Sequence, residues 1–196
     1  MANALNTTST HSQIEPRTGL HPVLKTGALV VSAGVLMALC AHVSLPLLFT
    51  PVPLTLQTFG VIVIALTLGS RRAAVAMALY LLEGAAGLPV FSPAGLGGIA
   101  QLLGPTGGYL MAYPLAAFLA GYIFEQRGKN STAALAGAIA AELVLFTSGT
   151  AWLMAVTATT FSKAMMLAAL PYIPGEVLKV AAAMALATRW HRRKSF

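Results

Sequence analysis

Residues 172–187 read YIPGEVLKVAAAMALA, so this stretch holds an acid and a base, Glu176 and Lys179, among apolar neighbours. The two residues lie three apart, and a helix would place them one turn apart on the same face. In a soluble protein such a pair is a common surface feature. Its meaning here depends on the solvent around the chain, which the composition identifies.

Of the 196 residues, 57% are hydrophobic and only 9% are charged, which is unlike a soluble globular domain. Apolar runs of the length needed to cross a bilayer alternate with segments rich in Pro, Gly and charge. The pattern predicts an all-α integral membrane protein with six transmembrane helices, of which the third looks short. The predicted spans are 26–45, 54–69, 73–88, 107–124, 132–153 and 174–190.

The distribution of basic residues predicts the topology, because Lys and Arg collect in short cytoplasmic connections. With six spans, ten of the twelve basic residues fall on one side, and Lys163 and Lys179 are the exceptions. Both termini are therefore predicted to be cytoplasmic. Residues 1–25 read as a disordered cytoplasmic leader, 26–190 as the membrane domain and 191–196 as a basic cytoplasmic tail. Between the last two spans, FSKAMMLAAL predicts a short interfacial helix.

Ionisable residues inside spans are functional candidates, since each is costly in lipid unless it is paired or faces water. Glu176 and Lys179 could form a structural ion pair between helices, or they could present a polar edge to a solute. The second interpretation is favoured by Ile173-Pro174-Gly175, which interrupts the backbone just before them. Glu83 could reach the same cavity or be an interfacial carboxyl. Glu142 is expected to be neutral or bonded to another span, and contact with the solute is the less favoured alternative.

The neutral connections supply further polar candidates. PVPLTLQTFG brings Thr55, Gln57 and Thr58 to the start of the second span. GLGGIAQLLGPTGGYL surrounds the start of the fourth span with glycines, and it also carries Gln101 and Tyr109. Non-helical backbone at membrane depth persists only where it lines a cavity or is covered by protein, so Gly98 and its neighbours indicate either a cavity wall or simple flexibility.

Several classes of function are disfavoured. The basic residues are scattered and form no footprint for nucleic acid. The spacing of a Walker nucleotide site does not occur, so an ATPase would have to be a separate chain. His42 is the only histidine within a predicted span, and no protease-like or metal-ligating pattern accompanies it. The sequence therefore indicates neither an enzyme nor a bound cofactor or metal.

The order of the motifs PVPLTLQTFG, LGSRRAAVAMALYLL, GAAGLPVF, LLGPTGGYLMAYPLAAFLAGY and YIPGEVLK resembles the BioY family, the biotin-binding S components of energy-coupling factor (ECF) transporters. The resemblance extends from about residue 45 to 187. It implies the six-helix ECF S-component fold and a multi-pass protein of the bacterial inner (cytoplasmic) membrane. It departs from the family at Glu176, where Asp is usual, and at Glu83, where an apolar residue is usual.

The resemblance implies biotin as the solute and high-affinity uptake as the function. Glu176 would accept hydrogen bonds from the ureido N–H groups, and Lys179 would donate to the ureido carbonyl or to Glu176. Further contacts would come from Thr55, Gln57, Glu83, Gly98, Gln101 and Tyr109. The group that meets the biotin carboxylate stays open between Lys163, Lys179 and neutral donors.

Partner subunits are also implied: a transmembrane coupling protein and two ATPase subunits. The first span carries small residues at Gly34 and Ala38, which allow another helix to approach closely. They could serve packing within the chain, and the resemblance favours contact with the coupling protein. A solo biotin facilitator or an ion-coupled carrier of a small organic solute remains the alternative.

Overall fold

A computed structural model describes residues 20–194, and over this range the chain is almost entirely helical. Two short strands pair antiparallel in the first connection, with Ser44 opposite Thr55. A 3₁₀ turn, Leu170–Tyr172, precedes the last helix. The helices are α1 Leu20–His42, α2 Gln57–Leu68, α3 Ser70–Ala85, α4 Gly98–Leu103, α5 Gly107–Gln126, α6 Ser131–Thr157, α7 Phe161–Ala168 and α8 Ile173–Lys194, and the strands are β1 Ser44–Leu45 and β2 Leu54–Thr55.

Each of the six predicted spans overlaps one helix, and these helices are α1, α2, α3, α5, α6 and α8. The short helix predicted after the fifth span is confirmed as α7. Within residues 20–194, four segments are long and apolar enough to cross a membrane, and α2 is a shorter apolar helix. These four are Val23–His42, Gly107–Gln126, Ser131–Thr157 and Phe161–Trp190.

Helical structure extends into the predicted leader and tail where the structure describes them. Helix α1 begins at Leu20 and includes Pro22 in its first turn. A proline is tolerated there because its missing N–H would have no partner within the helix. Helix α8 continues to Lys194, beyond residue 190, where the sixth span is predicted to end. The rest of the predicted leader, residues 1–19, and the last two residues lie outside the described part of the chain.

Helices α2 and α3 are both displaced from their predicted ranges. Helix α2 starts at Gln57 instead of 54, because β2 pairs with β1 first. Its 12 residues rise about 18 Å, less than the roughly 30 Å of a hydrocarbon core. Helix α3 begins at Ser70 instead of 73, since Gly69 turns the chain in one residue with φ +83°.

The turn between α2 and α3 is fixed by α5. The Glu125 carboxylate accepts a hydrogen bond from the Ser70 N–H at 3.0 Å and from Ser70 Oγ at 2.6 Å. Helix α5 also packs closely on α6, where a Cβ on Gly137 would lie 2.6 Å from the carbonyl oxygen of Ala120. Small residues of this kind let membrane helices approach each other at backbone distance.

The outer surface of the bundle is apolar. On α1 alone, Val23, Leu24 and Leu39 are each more than 60% exposed. A soluble monomer rarely exposes a continuous apolar surface of this kind, whereas lipid covers it in a membrane protein. The chain is therefore a multi-pass membrane protein, and its polar side chains are to be sought in its interior.

Candidate functional site

A cavity lies between α2, α5, α6 and α8 at the end of the bundle where α2, α5 and α8 begin. About 570 Å³ of space between its lining residues is free of protein atoms, and this figure includes open solvent at its entrance. The segment before α2, helix α4 and the 3₁₀ turn close over it. It is lined by Val52, Pro53, Thr55, Gln57, Thr58, Ser92, Gln101, Thr106, Tyr109, Leu110, Tyr113, Glu142, Leu145, Phe146, Ala168, Tyr172, Glu176 and Lys179.

Three side chains from α2 and α8 form a closed polar triad at the cavity wall. Lys179 Nζ lies 2.7 Å from Glu176 Oε1 and donates to Thr58 Oγ1 at 3.2 Å. Thr58 Oγ1 in turn donates to Glu176 Oε2 at 2.6 Å. Glu176 and Lys179 are only 6% and 9% exposed. Glu176 and Lys179 are therefore a buried ion pair within α8, which Thr58 ties to α2, and the pair also faces the cavity.

The triad keeps hydrogen-bonding capacity for a solute. An ammonium has three donors, and two of those on Lys179 are used within the triad. Each carboxylate oxygen of Glu176 accepts one bond here and has a second lone pair. The wall can therefore offer one charged donor and two acceptors.

A second polar chain runs from the cavity into the bundle. Thr55 Oγ1 donates to Gln57 Oε1 at 3.2 Å, and Gln57 Nε2 donates to the Tyr80 hydroxyl at 3.0 Å. Tyr80 then donates to the Val90 carbonyl at 2.9 Å. These bonds hold the start of α2 against α3 and the segment that follows it.

Tyr109 is fixed by its hydroxyl and by its ring. The hydroxyl donates to the Ala168 carbonyl of α7. Beside the ring lies Gly149 of α6, where an added Cβ would be 2.2 Å from the ring atoms. Gln101 is also fixed, because its Oε1 accepts from the Gly97 N–H at 3.1 Å. Both side chains therefore hold defined positions at the cavity.

The closing segments are tied to each other. Thr50 Oγ1 donates to the Leu167 carbonyl at 2.6 Å, and the Tyr172 hydroxyl donates to the Val52 carbonyl. On the opposite wall, Trp152 Nε1 donates to the Gly104 carbonyl at 2.9 Å. The irregular backbone at this end is thus held by side chains from neighbouring helices.

Of the residues predicted from the sequence, six line the cavity together: Thr55, Gln57, Gln101, Tyr109, Glu176 and Lys179. Gly98 is not among the lining residues. It is the first residue of α4 with φ +57°, and nothing lies within 4 Å of the position of its missing Cβ. A glycine is favoured at position 98 because the start of α4 requires this positive φ angle.

Glu83 does not line the cavity either. It faces α1, where one of its carboxyl oxygens lies 3.6 Å from the position a Cβ on Gly34 would occupy. Gly34, Ala38, His42 and Glu83 together line a separate surface groove between α1 and α3. The prediction that Glu83 touches the cavity is therefore wrong in its geometry, because the end of α3 turns this side chain toward α1.

The residues predicted for the site did not include Thr58, Tyr113 or Tyr172, although Thr58 was noted beside Thr55 and Gln57 at the start of the second span. Thr58 follows Gln57 in the motif QTFG, but its importance depends on the contact between α2 and α8, which lie more than 100 residues apart. The two tyrosines stand in segments that read as apolar. An indication was available for Tyr172, since it directly precedes the break at Pro174.

Glu142 stands on α6 at the cavity, facing α8. Both of its carboxyl oxygens are buried, and neither has a hydrogen-bond partner among the described residues. The charged groups that interact with it electrostatically are Glu176 and Lys179. A neutral Glu142 can donate its O–H to the Glu176 carboxylate of α8, so the expectation that Glu142 is neutral or bonded to another span stays a prediction.

Glu142, Phe146 and Glu176 also line a wide apolar groove on the outside of the bundle, between α6 and α8. These two helices share few contacts compared with α5 and α6. The three side chains therefore separate the cavity from the membrane-facing surface.

The comparisons with known proteins agree with the fold. The sequence matches the model of the BioY family over residues 9–196. A probable biotin transporter BioY of Pyrococcus horikoshii is 42% identical over 71% of this chain and 80% of its own length. A biotin transporter BioY of Rhizobium etli is 37% identical over 79% of this chain and 86% of its own.

A solved structure supports the same arrangement of helices. The crystal structure of the S component for biotin from an ECF-type ABC transporter has a TM-score of 0.80 with this chain. The match covers 87% of this chain and 93% of the other, at 23% identity. The fold is therefore that of an ECF S component, and the chain belongs to the BioY family.

Proposed function

We propose that this protein is the high-affinity biotin-binding subunit of a membrane uptake system, with the cavity as the biotin site. Several curated relatives, including those from Pyrococcus horikoshii and Rhizobium etli, are named as biotin transporters. The observation that carries the proposal is the buried triad of Thr58, Glu176 and Lys179 at the cavity wall.

The chemistry of the triad complements a cyclic urea. A urea offers two N–H donors and one carbonyl acceptor, and the triad offers carboxylate lone pairs beside one remaining ammonium hydrogen. Glu176 therefore accepts from a ureido N–H, and Lys179 donates to the ureido oxygen. These bonds are charge-assisted and enclosed, which makes them stronger than neutral ones in water.

The rest of the lining suits the remainder of biotin. Val52, Leu110, Leu145 and Phe146 provide apolar surface for the thioether ring and the valeryl chain. Lys163 is not among the lining residues, so the biotin carboxylate meets neutral donors near the closing segments. We assign this role to Gln101, whose carbonyl oxygen is already used and whose amide group is a donor.

Equilibrium binding to detergent-purified protein tests the proposal. Biotin and desthiobiotin share the cyclic urea and should both bind, whereas thiamine should not. The bound biotin should be recovered chemically unchanged, because we propose a transport subunit and not an enzyme. Binding of thiamine with equal affinity, or no binding of biotin, would overturn the assignment.

We also propose that α2 and α3 cross the membrane with the four longer segments, giving six spans with both termini cytoplasmic. The basic residues of the described chain, apart from Lys163 and Lys179, belong to the ends of helices opposite the cavity or to the turns there. In a bacterial inner membrane this end would meet anionic lipid and the cytoplasm. Reporter fusions after residues 95 and 194 should report opposite sides of the membrane.

Energy for uptake would come from partner chains: a transmembrane coupling protein and ATPase subunits. On this proposal Gly34 and Ala38 of α1 contact the coupling protein, since the groove there admits a close helix. Replacing Ala38 with Leu should abolish co-purification with the coupling protein and energised uptake while biotin binding in detergent is retained. Unchanged co-purification would refute this contact.

A second candidate is a solo biotin facilitator or an ion-coupled carrier. The observation in its favour is Glu142, a membrane carboxyl that interacts with Glu176. Liposomes that contain only this chain distinguish the two mechanisms. Biotin uptake that moves protons without ATP would support the carrier, and uptake that requires ATP and the partner chains would support the binding subunit.

A further inference from the structure

Glu142 lines the cavity, but it has no part in the biotin contacts proposed above. Its two oxygens are buried without a hydrogen-bond donor in the described chain, whereas Glu176 accepts from both Thr58 and Lys179. Buried polar atoms in native proteins are rarely left unpaired, and an exception calls for an absent partner. The position of Glu142 on the cavity lining indicates that this partner is the solute.

The charges around Glu142 constrain its form. The charged groups facing it are Glu176 and Lys179, both on α8, and the ionisable groups facing it from α5 are the phenols of Tyr109 and Tyr113. Lys179 already neutralises Glu176. An ionised Glu142 would add an uncompensated negative charge within the membrane, which is costly. Glu142 is therefore neutral in the empty cavity.

A neutral carboxyl has one O–H donor and one carbonyl acceptor. A cyclic urea presents the matching pair, an N–H beside a C=O. If Glu176 accepts one ureido N–H and Lys179 donates to the ureido oxygen, the second N–H still needs an acceptor. The carbonyl oxygen of Glu142 is placed on α6, across from α8, to supply it.

We propose that Glu142 is a second solute-contact residue, which presents a neutral carboxyl to the cyclic urea of the solute from α6 while the triad contacts the same group from α8. The inference rests on the proposed function, because it takes biotin as the solute. It adds a specificity-determining position on a helix that contributes no member of the triad.

The test compares three variants of the purified full-length protein by equilibrium binding of biotin and desthiobiotin. E142L removes both hydrogen-bonding functions and should weaken both ligands about tenfold or more. E142Q keeps one donor and one acceptor in the same shape and should restore most of that loss. E83L is the matched control, since it removes another carboxyl between helices but lies outside the cavity, and it should bind as the wild type does.

A structural role alone predicts a different result. E142L would then leave the affinity unchanged and only raise the unfolding midpoint of the empty protein, because an unpaired buried carboxyl is gone. That result would refute the inference while the biotin assignment stands. An E142Q variant as weak as E142L would refute the neutral form. If the wild-type protein does not bind biotin, both the proposed function and the contact between Glu142 and the cyclic urea are refuted.

Infrared difference spectroscopy tests the neutral carboxyl of Glu142 without the E142L variant, so this test does not depend on the folding of E142L. Biotin binding to the wild type should shift the C=O stretch of a protonated carboxyl, and this band should be missing in E142Q. No shift on biotin binding to the wild type would overturn the proposal.

Discussion

Replacing Lys179 with Met is the perturbation that tests the triad most directly. Methionine keeps the length and apolar character of the side chain but removes the ammonium. The wild-type ammonium donates to Glu176 at 2.7 Å and to Thr58 at 3.2 Å. In K179M, Glu176 keeps only the 2.6 Å bond from Thr58 and becomes a buried carboxylate without a counter-charge.

The expected loss can be worked from these contacts. Breaking a buried ion pair by removing one partner costs about 3–5 kcal/mol. The bond from Thr58 offsets part of this cost, so we expect the free energy of unfolding of K179M to be lower by about 2 kcal/mol. The lost donor to the ureido oxygen should weaken biotin binding by at least about 1.5 kcal/mol, which is roughly twelvefold.

Two measurements on detergent-purified protein separate the roles of Lys179. Unfolding of the empty protein gives the stability change, and equilibrium biotin binding gives the affinity change. The double variant K179M/E176Q is the control, because it removes both charges together. Its stability should return toward the wild-type value, whereas its affinity for biotin should stay low.

The reasoning would be refuted if K179M bound biotin as tightly as the wild type. The triad of Thr58, Glu176 and Lys179 would then serve only to join α2 and α8. A double variant that regained both stability and affinity would lead to the same conclusion.

Three further substitutions have defined outcomes. G149A should displace the ring of Tyr109, since the new Cβ would lie 2.2 Å from it. Biotin titration should then show an affinity at least about tenfold lower. An unchanged affinity would mean that the Tyr109 ring does not contact biotin. E125A removes the acceptor of both Ser70 bonds and should lower the free energy of unfolding by about 1–2 kcal/mol without changing biotin affinity. Y80F removes a buried hydroxyl that joins α2 to the segment after α3, so chemical unfolding should show a loss of about 2 kcal/mol; a stability equal to the wild type would contradict the role of this bond.

The helices were predictable because lipid requires long apolar runs, and breaks between such runs are conspicuous. All six predicted ranges overlap a long helix, and the buried pair of Glu176 and Lys179 was evident from its apolar surroundings. The paired strands were not predictable, because two residues per strand are too few to show an alternating pattern.

Long-range contacts could not be read from the sequence. Spans that are apolar on every side do not reveal which face meets which neighbour. The sequence therefore gave no means of deciding that Glu83 faces Gly34 of α1 and not the cavity. For the same reason the bond between Thr58 and Glu176 was not foreseen, although both residues stand in motifs that attracted attention.

The chain of hydrogen bonds from Thr55 to Val90 has a fixed direction. It ends on a backbone carbonyl, which can only accept, so Tyr80 must give its proton there and must receive one from the amide of Gln57. The oxygen of the Gln57 amide then faces Thr55 and accepts the only hydrogen bond that the Thr55 hydroxyl can donate. At Thr55 the cavity can therefore accept hydrogen bonds from an incoming molecule, but the Thr55 hydroxyl cannot donate one. The Val90 carbonyl, at the other end of this chain of bonds, thus determines that solute donors are favoured over solute acceptors at Thr55.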